Sequence, residues 1–256
     1  FYGLTDRGPN GDGPLVPDPS GKGTIGSKIF PSPSFTPSFG VLTVGKNGAV
    51  LSSSTPIKVS ATVNSSGLPV PVGAVGNSAE IPVMDAMKFD ATGKAVFNAG
   101  GLDSEAIVVD AKRNALWVSD EYGPFIIRID AATGIIQAKY EPGKGLPALF
   151  AKRRANRGME GMTLDTSNDK LYAFLQSPLS DGTAMYSVTK KAEQVERFAR
   201  FTRWIEFDPV TGGSGKMYAY PLNAADYQDG RTGNAKLGDM VALGGGKFLV
   251  IEQGAA

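Results

Sequence analysis

The feature of this chain that most constrains its fold is an internal repeat. "SEAIVVDAKRNALWVSDEYG" from Ser104 and "MEGMTLDTSNDKLYAFLQSP" from Met159 share one pattern, and "GDMVALGGGKFLVIEQG" from Gly238 shortens it at the turn. In the first two, an acid (Glu105, Glu160) opens an apolar run, an aromatic (Trp117, Tyr172) follows at equal spacing, and a polar residue (Glu121, Gln176) closes it. In the third, Asp239, Leu249 and Gln253 take those places. Apolar runs on both sides of a polar or Gly-rich turn read as strand, turn, strand. The opening "FYGLTDRG" fits "LWVSDEYG", which sets Asp6 on Glu121 and Gly8 on Gly123.

A second marker follows the strand pairs. "FIIRIDAATG" and "WIEFDPVTG" end in Asp-x-x-Thr-Gly, "MKFDATG" is a shorter version, and each reads as an outer strand entering a tight turn. Further strands are expected at Ile135 to Tyr140 and Met217 to Tyr220. Two inner strands, a third strand, the turn and a fourth strand make a unit of roughly 45 to 55 residues, the size of a propeller blade. The predicted fold is therefore all-β: a β-propeller of four-stranded antiparallel blades, about six or seven in the complete protein. Residues 1–256 form a single propeller domain, expected to be incomplete at both ends because the chain starts and stops on a second strand. Two inserted loops break the rhythm. Residues 8–39 are rich in Gly, Pro and Ser, and residues 141–158 hold one short helix, predicted over Pro147 to Ala155 with Pro147 in its first turn.

Composition narrows the chemistry. The chain has no Cys and no His, so disulfides, zinc-thiolate sites, thiol nucleophiles, Ser-His-Asp triads and imidazole bases are all excluded. Ser104, Ser119 and Ser177 have no histidine to activate them, and no "GxSxG" elbow is present. Any catalysis must use carboxylates, Lys, Tyr, Arg or a metal-activated water. With 26 Lys+Arg against 25 Asp+Glu, the formal charge of +1 gives no drive toward nucleic acid or an anionic membrane. No apolar run is long enough to span a bilayer, and the absence of Cys fits an extracytoplasmic protein, periplasmic or secreted. A monomer is expected.

The first strand of each propeller blade lines the central channel. Glu105, Glu160 and Asp239 are thus expected to meet near the axis, joined by Asp120, Glu121, Glu252 and Asp6. Carboxylates that close would repel by several kcal/mol unless a cation or protons neutralised them. With only oxygen donors present, calcium is the preferred ion and magnesium the second. The alternative reading has Glu105 and Glu160 bonding to backbone amides or Arg at blade edges. "NRGMEG" sets Arg157 and Asn156 beside Glu160, a means of holding an anion, and Arg7 in "TDRG" has the same potential. Both arginines serve equally well as buried partners of carboxylates. Gln176 matches Glu121 and offers a neutral donor or acceptor. Asp120 or Glu121 would act as general base or hold the metal, and Lys152, Arg153 and Arg154 read as a solvated face.

The chain resembles a known family at this point, the bacterial proteins described as phytase-like with esterase-like activity. The words that carry the resemblance are "FYGLTDRG", "GKGTIGSKIFPSPSFTP", "LDSEAIVVD", "LWVSDEYGPFIIRID", "NRGMEGMTLD", "LYAFLQSPL", "MYAYPL" and "FLVIEQG", in order across nearly the whole chain. Met159 and Ala106 depart from the expected pattern, and neither removes a carboxylate. The resemblance implies a β-propeller and hydrolysis of a phosphoester or ester. Combined with the residues, it gives a calcium-dependent hydrolase of a small anionic ester, with Glu160, Glu121 and Asp120 catalytic, Arg157, Asn156, Arg7 and Gln176 binding substrate, and Glu105, Glu160, Glu252, Asp239 and Asp6 holding metal. Phytate itself fits poorly, because a highly phosphorylated ring calls for more converging Lys and Arg than these words supply. The alternative is a non-catalytic propeller with a structural metal or ion pairs that binds a partner or glycan.

Overall fold

The computed structural model describes residues 1–18, 23–71, 81–83, 96–180, 185–187, 194–196 and 198–254. The strand marker "MKFDATG", residues 87–93, lies outside them. The described residues are all-β, with short 3₁₀ turns and no α-helix. Strands β1 (Tyr2–Leu4), β2 (Ser38–Gly45) and β3 (Gly48–Pro56) form an antiparallel three-stranded sheet. A four-stranded antiparallel meander follows, made of β4 (Ser104–Asp110), β5 (Ala115–Asp120), β6 (Phe125–Asp130) and β7 (Ile136–Pro142), and extended by a two-residue parallel pairing at Gly145–Leu146. The second meander is β8 (Met159–Asp165), β9 (Lys170–Leu175), β10 (Phe201–Asp208) and β11 (Gly213–Pro221). A hairpin of β12 (Lys236–Gly244) and β13 (Lys247–Gln253) comes last.

The expected strands after the Asp-x-x-Thr-Gly turns are present as β7 and β11. Those turns close for a local reason. Asp130 Oδ1 accepts from the Thr133 amide at 2.8 Å and its hydroxyl at 2.7 Å, and Asp208 Oδ1 accepts from the Val210 amide at 2.8 Å. Gly134 and Gly212 then take φ of 74° and 72°, where a side chain is disfavoured.

Strands β5, β6 and β9 are buried on both faces, and this stacks the sheets in chain order. On β5, Leu116 and Val118 pack with Phe39 of the first sheet and Ile57 just beyond it, whereas Trp117 packs with Met159, Met162, Leu171 and Phe207 of the second meander. The Trp117 ring meets Phe207 edge-on at 5.8 Å. Tyr172 and Phe174 then pack with Leu237 and Met240 of the hairpin. Each fully buried side chain of this size stabilises by about 1.5–3 kcal/mol. The inner strands β4, β8 and β12 lie side by side at one edge of this stack.

The helix expected over Pro147 to Ala155 is a five-residue 3₁₀ turn, Ala148–Lys152, with Arg153 already extended. A lone helix of that length is marginal, so tertiary contacts decide the backbone. Phe150 is buried in the core, Lys152 O accepts from the Ser180 amide, and the guanidinium groups of Arg153 and Arg154 bond to Tyr122 O and Gly233 O. Arg153 and Arg154 are thus half-buried ties between sheets rather than a solvated face.

Candidate functional site

The three inner strands share a bulge. Register breaks between Ser104 and Ile107 on β4, Met159 and Met162 on β8, and Leu237 and Met240 on β12. Ser104 opposes Asp120, Met159 opposes Leu175 and Leu237 opposes Glu252. The corresponding flanking pairs are then Asp103 with Glu121, Gly158 with Gln176, and Lys236 with Gln253. Backbone bonds fasten these ends: Glu121 N donates to Asp103 O at 2.8 Å and Gln176 N to Gly158 O at 2.9 Å.

Asp120 makes the acidic end possible. It is fully buried, accepts from the Asp103 amide at 2.7 Å with one oxygen and from the Gly123 amide at 3.0 Å with the other. Burial raises its pKa to about 6, opposed by Lys139 and these amide bonds. Its carboxylate anchors the backbone before β4 to the turn after β5. As a result, one carboxylate oxygen from each of Asp103, Glu105 and Glu121 lies within 4.8 Å of the others.

This cluster is buried and poor in counter-charge. Asp103 is 2% exposed, and burial pushes its pKa well above the carboxylate range, with Glu121, Asp6 and Asp120 adding to the effect and Arg7 opposing it. Burial, then Asp103, Glu160 and Glu121, push Glu105 up to about 11. Glu160 is pushed up to about 8 by burial and Glu121, against a 2.8 Å hydrogen bond donated by Gln176 Nε2. Protons or a cation must neutralise such a set. Three hard oxygens at this spacing fit a cation whose ligands stand at ~2.3–2.6 Å. The surroundings add polar atoms without partners: Ser104 Oγ and Gln176 Oε1 are buried and accept no hydrogen bond. The residues present therefore suit a hard divalent ion.

The remaining expected residues distribute as follows. Arg7, 5% exposed, pairs with Asp103 Oδ2 at 3.2 Å, contacts Asn10 Oδ1 at 3.3 Å and stacks over Tyr122 at 5.7 Å. Asp6 is exposed and near enough for its charge to act on Asp103 and Glu105. Arg157 is half-buried, donates to Asn156 O at 2.6 Å and has its Nε buried without an acceptor. Asn156 takes a left-handed φ of 53°. Next to them, Gly158 packs so closely on Glu121 that a Cβ there would collide with the Glu121 carbonyl.

Of the five expected ligands only Glu105 is in the three-carboxylate cluster; Glu160 and Asp6 stand beside it, and Asp239 and Glu252 stand apart. The register sets Gly238, rather than Asp239, level with Glu105 and Glu160. A shift of one residue turns a strand's side chains to the opposite face. Asp239 is accordingly exposed, its Oδ1 accepting from the Met240 amide at 2.7 Å. Glu252 is level with Asp120 and Leu175, and it accepts from Tyr227 Oη at 2.6 Å and Tyr220 Oη at 3.0 Å. Conversely, repeat reasoning missed Asp103, because Gly158 and Lys236 hold its place in the other two units. The signal available was the Asp-x-Glu spacing of "LDSEAIVVD" directly before a strand.

Comparison with known proteins gives a relative and a family. The chain is 29% identical over 176 residues to a protein of Arthroderma benhamiae described as an uncharacterized secreted protein, a match covering 57% of this chain and 32% of that one. It spans about a third of that relative's length. Among the described residues, no helix is long and apolar enough to cross a membrane. The family described as phytase-like, "Esterase-like activity of phytase", matches residues 53–255, and the chain belongs to that family.

Proposed function

We propose that this chain is the channel-forming part of a secreted or periplasmic β-propeller hydrolase that cleaves a small anionic phosphoester or ester. The observation that carries the reading is the convergence of Asp103, Glu105 and Glu121, three carboxylates with oxygens within 4.8 Å, beside the Glu160–Gln176 pair. The family description supports ester chemistry, and the stacked four-stranded meanders with aligned inner strands support a propeller. Asp103, Glu105 and Glu121 would hold a divalent cation, calcium before magnesium, since all donors are oxygens and calcium tolerates irregular sites. Once bound, such an ion supplies Lewis-acid polarisation of an ester or phosphoryl oxygen.

The chain's own residues do the rest. Glu160, with a pKa near 8, holds a proton it can give up or recover near neutral pH, and Gln176 Nε2 fixes its orientation. Gln176 Oε1, buried and without a donor, is positioned to accept from water or a substrate hydroxyl. Asp120, with both oxygens on backbone amides, positions Asp103 instead of exchanging protons. Arg157 and Asn156, three and four residues before Glu160, would contact the anionic group.

One observation favours a structural role for the same cluster: Arg7 already provides Asp103 with an internal cation. The two readings separate in one experiment. Calcium is added back after EGTA while melting and hydrolysis of p-nitrophenyl phosphate, bis-p-nitrophenyl phosphate and p-nitrophenyl acetate are followed, with Glu160→Gln in parallel. Calcium-dependent turnover that Glu160→Gln abolishes, with the fold intact, is expected. A calcium-dependent gain in melting temperature without turnover would identify a structural ion, and no effect on either would sink the metal site.

A further inference from the structure

The repeat positions around the inner strands are not chemically equivalent. Asp103, Gly158 and Lys236 occupy the same register in successive units, opposite Glu121, Gln176 and Gln253. Along this row the charge passes from acidic through neutral to basic. Lys236 begins β12, next to Leu237, whose amide donates to Gln176 O at 2.9 Å, and Gln176 in turn bonds Glu160 at 2.8 Å. Its charge is among those that lower the proton affinity of Glu160. Its side chain is exposed, with no hydrogen-bond or ion-pair partner among the described residues.

We propose that Lys236 is the substrate-anchoring residue of the site, binding the anionic phosphoryl group of the ester across Glu160 and Gln176 from the acidic cluster. This rests on the hydrolase reading above and deepens it by assigning the residue that recognises the substrate's charge. The site is then bipolar. Asp103, Glu105 and Glu121 attract a cation at one end, and Lys236 attracts an anion at the other. A mobile ammonium suits a tetrahedral phosphoryl group as a point charge, needing no planar bidentate match. An exposed lysine with no carboxylate partner among the described residues can pair with a ligand without breaking an existing ion pair.

The test is titration of inorganic phosphate by calorimetry into calcium-loaded protein, comparing wild type, Lys236→Met and Lys236→Arg. Calcium affinity and melting temperature are recorded for each. Wild type is expected to bind phosphate, Lys236→Met to weaken it at least tenfold, and Lys236→Arg to restore most of the loss, with calcium affinity and melting temperature unchanged in all three. Equal phosphate affinity in wild type and Lys236→Met would overturn the assignment, as would calcium binding by wild type without phosphate binding; in both cases the cation site would stand. Failure of wild type to bind calcium at all would instead bring down the hydrolase reading, and this inference with it.

Discussion

Raising the pH from 5 to 8 in EGTA is expected to destabilise this protein, and the size of the effect follows from Glu160. Its pKa is about 8 in the fold against an ordinary 4.5, so the folded state holds a proton that the unfolded chain has released. Stability from this group is fully present below pH 4.5 and is lost as pH rises toward 8. At 1.36 kcal/mol per unit, the three units between pH 5 and 8 amount to about 4 kcal/mol. Glu105, raised to about 11, and Asp120, raised to about 6, act in the same direction. In a chain this long, each kcal/mol moves the melting temperature by roughly 2–4 °C, so a fall of about 8–16 °C is expected from Glu160 alone. Glu105 and Asp120 share this window with Glu160, whereas Asp12, Asp130, Asp169 and Asp208, all with lowered pKa values, finish titrating below it, and there is no histidine. Differential scanning calorimetry of wild type and Glu160→Gln across this range is the assay. Glu160→Gln should lessen the slope, leaving the part that Glu105 and Asp120 contribute, and saturating calcium should lessen it in wild type by competing with the protons. A wild-type melting temperature that stays level, or an identical slope in Glu160→Gln, would refute the buried-carboxylate argument.

Three further outcomes follow from other contacts. Arg7→Leu removes the buried partner of Asp103 and its packing over Tyr122 and should cost about 1–3 kcal/mol in urea unfolding at pH 7. Gly158→Ala forces β8 away from the Glu121 carbonyl and should cost about 1–3 kcal/mol while weakening calcium binding, read by calorimetry. Tyr227→Phe removes one of the two hydroxyls on Glu252 and should cost about 1 kcal/mol without changing calcium affinity, because Glu252 stands apart from the cluster.

The repeat was legible from the sequence because strand and turn signals are local. Apolar runs beside a polar turn specify β5 and β9, and Asp-x-x-Thr-Gly specifies the turns after β6 and β10 through bonds within a few residues. The Glu105, Glu121 and Glu160 positions followed from that periodicity, and the absence of His and Cys excluded whole mechanisms outright. The family resemblance was carried by words such as "LWVSDEYGPFIIRID" and is matched over residues 53–255.

Tertiary structure decided what distance along the chain cannot encode. Whether Asp239 or Gly238 stands level with Glu160 depends on a one-residue register set by cross-strand bonds, and that single step exposes Asp239. Asp103 enters the cluster because Asp120 draws its amide in, a contact spanning two strands. Arg7 reaches Asp103 from a different sheet, and Arg153 and Arg154 are drawn to carbonyls of other units in preference to continuing a helix. The sequence thus determined which strands form and which residue types stand at the ends of the inner strands, through interactions within a hairpin. The fold determined which of those carboxylates meet, because burial and register are properties of the assembled sheets.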